Sequence, residues 1–183
     1  MKLRDRLLAS HYRRAPVTSP RVQRSYQALT RGVDEQFARL PVRVEFTPND
    51  PYGPRSKRMF RDIDEHGRLK VFTGASEHPI LTPEQNWKFR AVHDYYGHYA
   101  GGRNSFSRAG EHAAYQAHKK MFPRSAHSAL ASETEAQQAV FHTTGNYATP
   151  QKAVHVPRLL RSVATIAGGT AVVGVLDDGA WRL

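Results

Sequence analysis

Histidines, tyrosines and carboxylates crowd one stretch of this chain. Six of its ten histidines lie between His93 and His142. The densest run is Phe89-Arg90-Ala91-Val92-His93-Asp94-Tyr95-Tyr96-Gly97-His98. The chain has no cysteine, which excludes disulfides, thiolate ligands and a cysteine nucleophile. Any metal must then be held by His, Asp and Glu, the ligand set of iron, manganese or catalytic zinc. Two histidines four apart on a helix share a face, as in zinc proteases. His93 and His98 are five apart, about 140° around an ideal helix. Both reach one ion only if the helix opens, and Gly97 is where an opening costs least. The bare spacing equally allows a helix C-terminus at Gly97, with His98 beside the last carbonyls.

Carboxylates follow at Glu111, Glu133 and Glu135. Two imidazoles and one carboxylate on one face of a metal form the facial triad of non-haem Fe(II) oxygenases, which leaves open coordination positions. Glu111 also suits the first turn of a helix, and Glu135 suits solvent. Glu133 follows the apolar turn Ala129-Leu130-Ala131, and a carboxylate entering a core needs a cation to offset its desolvation. Asp94, beside His93, is placed to bind an imidazole N–H and fix its tautomer.

The run Glu77-His78-Pro79-Ile80-Leu81-Thr82-Pro83-Glu84, followed by His93-Asp94-Tyr95-Tyr96-Gly97-His98, resembles the iron-binding stretch of pterin-dependent aromatic amino acid hydroxylases. That resemblance implies His93 and His98 as iron ligands. It implies Glu133, 35 residues after His98, as the third. The chain departs from the family pattern at Tyr99, where the hydroxylases carry proline.

A longer stretch, roughly Pro41 to Tyr147, is similar to a domain of bacteriophage proteins, among them very large polyvalent proteins. The matching pieces include Asp50-Pro51-Tyr52, Gly67 to Phe72, Gly110-Glu111, Ala114 to His118, and Glu133-Thr134 with Gln137. This resemblance implies a phage or prophage origin. It also implies that Glu111 and His118, two helical turns apart on roughly one face, orient the metal ligands or contact the substrate.

The elements that must position these groups read as one α+β domain, mainly helical, with a small sheet in the N-terminal half. Val22, Tyr26, Leu29, Val33, Phe37 and Leu40 step by three and four, predicting a helix capped by Ser19 and stopped by Pro41. Val42, Val44 and Phe46 alternate with Arg43 and Glu45 as a strand, and Leu69 to Phe72 form another. Thr47 to Pro54 reads as a loop. Thr82-Pro83-Glu84 opens a helix running toward Gly97. Further helices are predicted over 108–121 and 125–141, the latter ending near Gly145.

Residues 1–18 read as a basic flexible arm, residues 19–160 as the metal-site domain and residues 161–183 as an apolar, Gly-rich C-terminal segment. The formal charge is +11, and Lys2 to Arg24 hold seven Lys or Arg against Asp5 alone. Such a balance favours nucleic acid or other phage structural proteins as partners. Val163 to Leu176 is 14 residues long, short of the about 20 that span a bilayer, so a Gly-turned hairpin or buried segment is expected and membrane insertion is not. No apolar h-region follows the N-terminus, so the expected location is host cytoplasm or virion.

Three functions fit. The first is a mononuclear non-haem iron oxygenase or hydroxylase, with Fe(II) ahead of zinc and manganese and with Tyr95, Tyr96 or Phe106 lining its pocket. The second is a metal-dependent phosphoester hydrolase with Glu111 as general base. The third is a non-enzymatic basic virion or DNA-associated protein. No dinucleotide fingerprint or phosphate loop points to NAD or ATP.

Overall fold

A computed structural model describes residues 3–17 and 19–162. Its architecture is mainly helical α+β, with one two-stranded parallel sheet in the N-terminal half. The helices are α1 (Leu3–Arg14), α2 (Pro20–Phe37), α3 (Ser56–His66), α4 (Pro83–Val92), α5 (Arg108–Lys119), α6 (His127–Ala131), α7 (Gln137–Thr144) and α8 (Arg158–Ser162). Strands β1 (Arg43–Thr47) and β2 (Arg68–Phe72) pair in parallel from Arg43↔Arg68 to Thr47↔Phe72. A parallel pair needs a crossover, and α3 supplies it. The sequence reading passed over α3, although Met59, Phe60 and Ile63 form its buried face. Gly67 ends α3 at φ 57°, a left-handed conformation that glycine adopts without strain.

The basic N-terminal segment is not a flexible arm. Residues 3–14 are helix α1, with Leu8, Ala9 and Tyr12 buried against α7. Two of its charges serve the fold, Arg4 pairing with Glu135 and Asp5 with Arg108. Burying one stripe of the helix and pairing these two charges outweighs the cationic repulsion that the composition emphasises. The Gly-rich stretch 163–183 lies outside the described residues, so the hairpin reading of it is left as it stands.

Helix α2 forms as its periodicity predicts. Ser19 Oγ accepts from Val22 N at 3.2 Å, and Val22, Tyr26, Leu29 and Val33 are buried. At α4, Thr82 Oγ1 accepts from Gln85 N while Gln85 Oε1 accepts from Thr82 N, at 3.2 and 3.0 Å. This reciprocal cap satisfies two orphan donors at once.

Beyond Val92 the helix neither ends nor breaks. It widens into a π-helix over His93–Tyr99, with Ala100 N donating to Tyr95 O at 2.7 Å. A second π-helix, Ser132–Ala136, joins α6 to α7. The first lies on the seam of the core. Tyr96 packs with the larger cluster, formed by α1, α2 and α4 to α7, while Tyr95 and Tyr99 pack with the β1–α3–β2 unit.

Candidate metal centre

The π-helix answers the spacing problem of the two histidines. With i→i+5 bonding, the fifth residue along sits over the first instead of a third of a turn away. His98 accordingly faces His93, ring centroids 5.1 Å apart and nearly perpendicular. Gly97 contributes closeness instead of a break. A Cβ there would lie 3.1 Å from both the Ala114 carbonyl oxygen and His93 Nδ1, so its absence lets α5 pack tightly on the π-helix.

That packing delivers Glu111, in the first turn of α5 behind the Ser107 N-cap. Its Oε2 is 3.4 Å from His98 Nε2 and 3.9 Å from His93 Nε2. Donor atoms of His93, His98 and Glu111 all lie within 4.8 Å of one another, and this group could hold a metal ion. Two ligands each about 2.1 Å from one ion stand about 3.0–3.4 Å apart at ordinary bond angles. The Glu111 pairings are already near that spacing.

The hydrogen bonds behind the two rings set which nitrogens face the centre. His98 Nδ1 donates to the Asn104 carbonyl at 2.9 Å, leaving the Nε2 lone pair toward Glu111. Asn104 is itself held, its Nδ2 donating to Gly97 O at 2.9 Å and Gly101 O at 3.1 Å. Behind His93 runs a longer relay. Gln36 Oε1 accepts from His118 Nε2 at 2.6 Å, and His118 Nδ1 faces His93 Nδ1 at 3.1 Å. With Gln36 Oε1 as acceptor, His118 Nδ1 must accept and His93 Nδ1 must donate. His93 Nε2 is then a bare lone pair. It is buried and has no hydrogen-bond partner among the described residues.

Charge balance suits ligation at Glu111 and His93, whereas His98 must give up a proton to bind a metal. Burial pushes the Glu111 carboxyl up, but the His93 and His98 imidazoles outweigh it and hold it down at about 2. Burial favours neutral His98, yet Glu111 and then Asp94 overcome this and raise it. Burial dominates at His93, which is lowered, and at His118, which is lowered well below the ordinary range with help from repulsion by His93 and His98. Neutral imidazoles and an ionised carboxylate are the forms that bind metals. Burial also raises the Asp94 carboxyl, to about 7.

The expected site residues are thus brought together in part. His93 and His98 converge as expected, but the carboxylate beside them is Glu111 and not Glu133. Glu133 points elsewhere: it accepts from the Tyr26 hydroxyl, from His78 Nε2 at 3.1 Å and from Gln137 Nε2 at 2.8 Å. These donors offset its desolvation, so its buried position needs no metal. Asp94 makes no hydrogen bond to an imidazole, because Asn104 and His118 take those roles. His118 is behind the centre as an orienting group, not at the reacting face. Glu135 is not solvated but bonded to Arg4 and to His112 Nδ1 at 3.0 Å.

Of the aromatic candidates, Phe106 meets the His98 ring edge-on at 4.9 Å. Tyr96 instead stacks on His118 at 6.3 Å, and Tyr95 packs between Tyr96 and Tyr99. Gln36, Asn104 and His78 carry local roles that the sequence reading left unassigned. A cavity of about 790 Å³ opens near Tyr12, His78 and Tyr147, and none of the three converging residues lines it.

Gly110 couples the loop to the centre. A Cβ there would collide with the Ser105 carbonyl oxygen and come within 2.7 Å of its nitrogen. Gly110→Ala is expected to displace the 104–107 loop that holds His98. The loss is about 1–3 kcal/mol of stability, read by denaturant titration, together with weakened metal binding.

Compared with family models, curated proteins and solved structures, the chain matches none of them.

Proposed function

We propose that this chain is a mononuclear non-haem metal enzyme, an Fe(II) oxygenase or hydroxylase, with His93, His98 and Glu111 as its ligands. The observation that carries this reading is His93 Nε2. It is a buried acceptor with no partner among the described residues, presented by a relay through His118 and Gln36 to the point where His98 Nε2 and Glu111 Oε2 converge. A buried polar atom left bare is costly, and a metal ion removes that cost.

Two histidines with one carboxylate form the set that, with Fe(II) bound, supplies dioxygen chemistry at open positions. The protein's own part is to hold the ligands and manage protons. Asn104 and His118 fix the two tautomers. Asp94, next to His93 in the chain, is raised by burial in the metal-free protein, and a bound cation would favour its ionised form. Phe106 walls the His98 side with an apolar ring. Iron is preferred over zinc or manganese because two histidines with one carboxylate are the ligand set of non-haem Fe(II) oxygenases. The hydrolytic reading is weakened because Glu111, its general base, stands at the ligand position.

The relay makes a quantitative demand. His118→Leu removes the acceptor that sets the His93 tautomer and is expected to weaken metal affinity about 10–100-fold, measured by competition with a chelating dye. Unchanged affinity would mean that His118 only fills the core.

The reading itself is tested by loading the protein anaerobically with Fe(II) and measuring dioxygen uptake with nucleotides and aromatic amino acids. Substrate-dependent uptake, lost in Glu111→Ala, is the expected result. No uptake with iron, combined with phosphoester cleavage by the zinc- or manganese-loaded protein, would overturn it in favour of the hydrolase.

A further inference from the structure

At one end of the molecule several elements meet through hydrogen bonds. Ser25 Oγ donates to Ser125 O at 2.7 Å and accepts from Ala129 N at 3.0 Å, pinning the start of α2 to α6. Val156 N donates to Ser128 Oγ at 2.9 Å, which brings the segment leading into α8 to the same place. Cations gather there: Arg21 from α2, Lys119 from the end of α5, and Arg158 and Arg161 from α8, with Arg24 three residues along α2 from Arg21.

These cations feel one another. Arg161 is lowered by burial and then by repulsion from Arg158 and Arg21. Lys119 is lowered by burial and then by Arg161. His155 is held at about 4 by burial and then by Arg21 and Arg161. Among the described residues no carboxylate pairs with any of them. Glu135, the carboxylate nearest to Lys119 in effect, is bonded to Arg4 and His112. Arg161 Nε is buried and without a partner among the described residues.

Arg21, Arg24 and Arg31 are three and seven residues apart and exposed, so they share one face of α2. That face extends the patch about 15 Å along the helix axis, up to Glu35. A row of cations with no carboxylate partner among the described residues is suited to a repeating anion. Guanidinium forks match phosphate oxygens in particular.

We propose that this α2–α8 face binds the phosphodiester backbone of nucleic acid. The bound phosphates supply the anions that Arg21, Arg158 and Arg161 lack, and the row on α2 continues the track. Contacts are to the backbone, so binding is independent of sequence and steeply dependent on salt. The proposal does not depend on the metal centre.

The test is fluorescence anisotropy with a labelled mixed-sequence DNA duplex of about 20 base pairs, across a salt series. Two variants carry the patch, Arg21→Gln/Arg158→Gln/Arg161→Gln and the exposed set Arg21→Gln/Arg24→Gln/Arg31→Gln. The control, Arg55→Gln/Lys57→Gln/Arg58→Gln, removes the same charge near α3. Each patch variant is expected to weaken binding about tenfold or more near 100 mM salt and to flatten the salt slope by about 0.9 per lost contact. The control should change affinity less than about threefold. Equal weakening by all three variants would overturn the proposal by reducing it to net charge. Displacement of the duplex by polyglutamate at equal charge would overturn it in favour of an acidic polypeptide, and absence of duplex binding by the wild type would also overturn it.

Discussion

Glu133→Ala is expected to destabilise the fold by about 3–5 kcal/mol, a large share of the about 5–15 kcal/mol that holds a typical domain together. Glu133 is buried, and three donors from different parts of the chain end on its carboxylate. Tyr26 belongs to α2, His78 to the loop before α4, and Gln137 to α7. His78 Nδ1 accepts from the backbone N–H groups of Ile80 and Leu81 at 3.1 and 2.8 Å, so its proton sits on Nε2 and needs Glu133. Truncation strands all three donors, each costing about 1–3 kcal/mol if nothing replaces the acceptor. Urea denaturation at neutral pH measures the loss. A cost below about 1 kcal/mol would mean that the network tolerates a missing member. Glu133→Gln, which retains a carbonyl acceptor, should lose much less.

Glu111→Ala is expected to behave in the opposite way. It should lower metal affinity beyond about 100-fold, more than a supporting residue would, while the chain remains folded. Glu111 sits in the first turn of α5 with its side chain about one-eighth exposed, at 13%, and α5 keeps its Ser107 cap and its buried Ala114, Tyr115 and His118 face. Dye competition measures the affinity and circular dichroism the fold. Retained affinity would remove Glu111 from the ligand set.

The contrast between these two glutamates shows where sequence reading reaches its limit. The apolar turn before Glu133 is a real signal of burial, and the structure buries it. What the chain does not reveal is which partners meet a buried carboxylate, because Tyr26 and His78 lie 107 and 55 residues away. Glu111 reads as an ordinary first-turn acid until Gly97 and α5 pack together. The π-helix was equally hidden. Residue types permit it, but its i→i+5 bonding depends on tertiary packing, so five-residue spacing seemed to require a break. Helix α2, both strands and the α4 cap were legible because periodicity and capping chemistry are local. Helix α1 was not, since seven cations in the first 24 residues obscure the Leu8-Ala9-Tyr12 stripe that buries it.

The most direct test of the metal centre is elemental analysis by mass spectrometry. Wild type, Glu111→Gln and Glu133→Gln would be expressed with several metals supplied and purified without chelator. The ligand set His93, His98 and Glu111 predicts about one metal ion per chain in wild type and in Glu133→Gln, and essentially none in Glu111→Gln. Metal retained by Glu111→Gln but lost from Glu133→Gln would contradict it, as would a wild-type protein that takes up no metal even after anaerobic reconstitution.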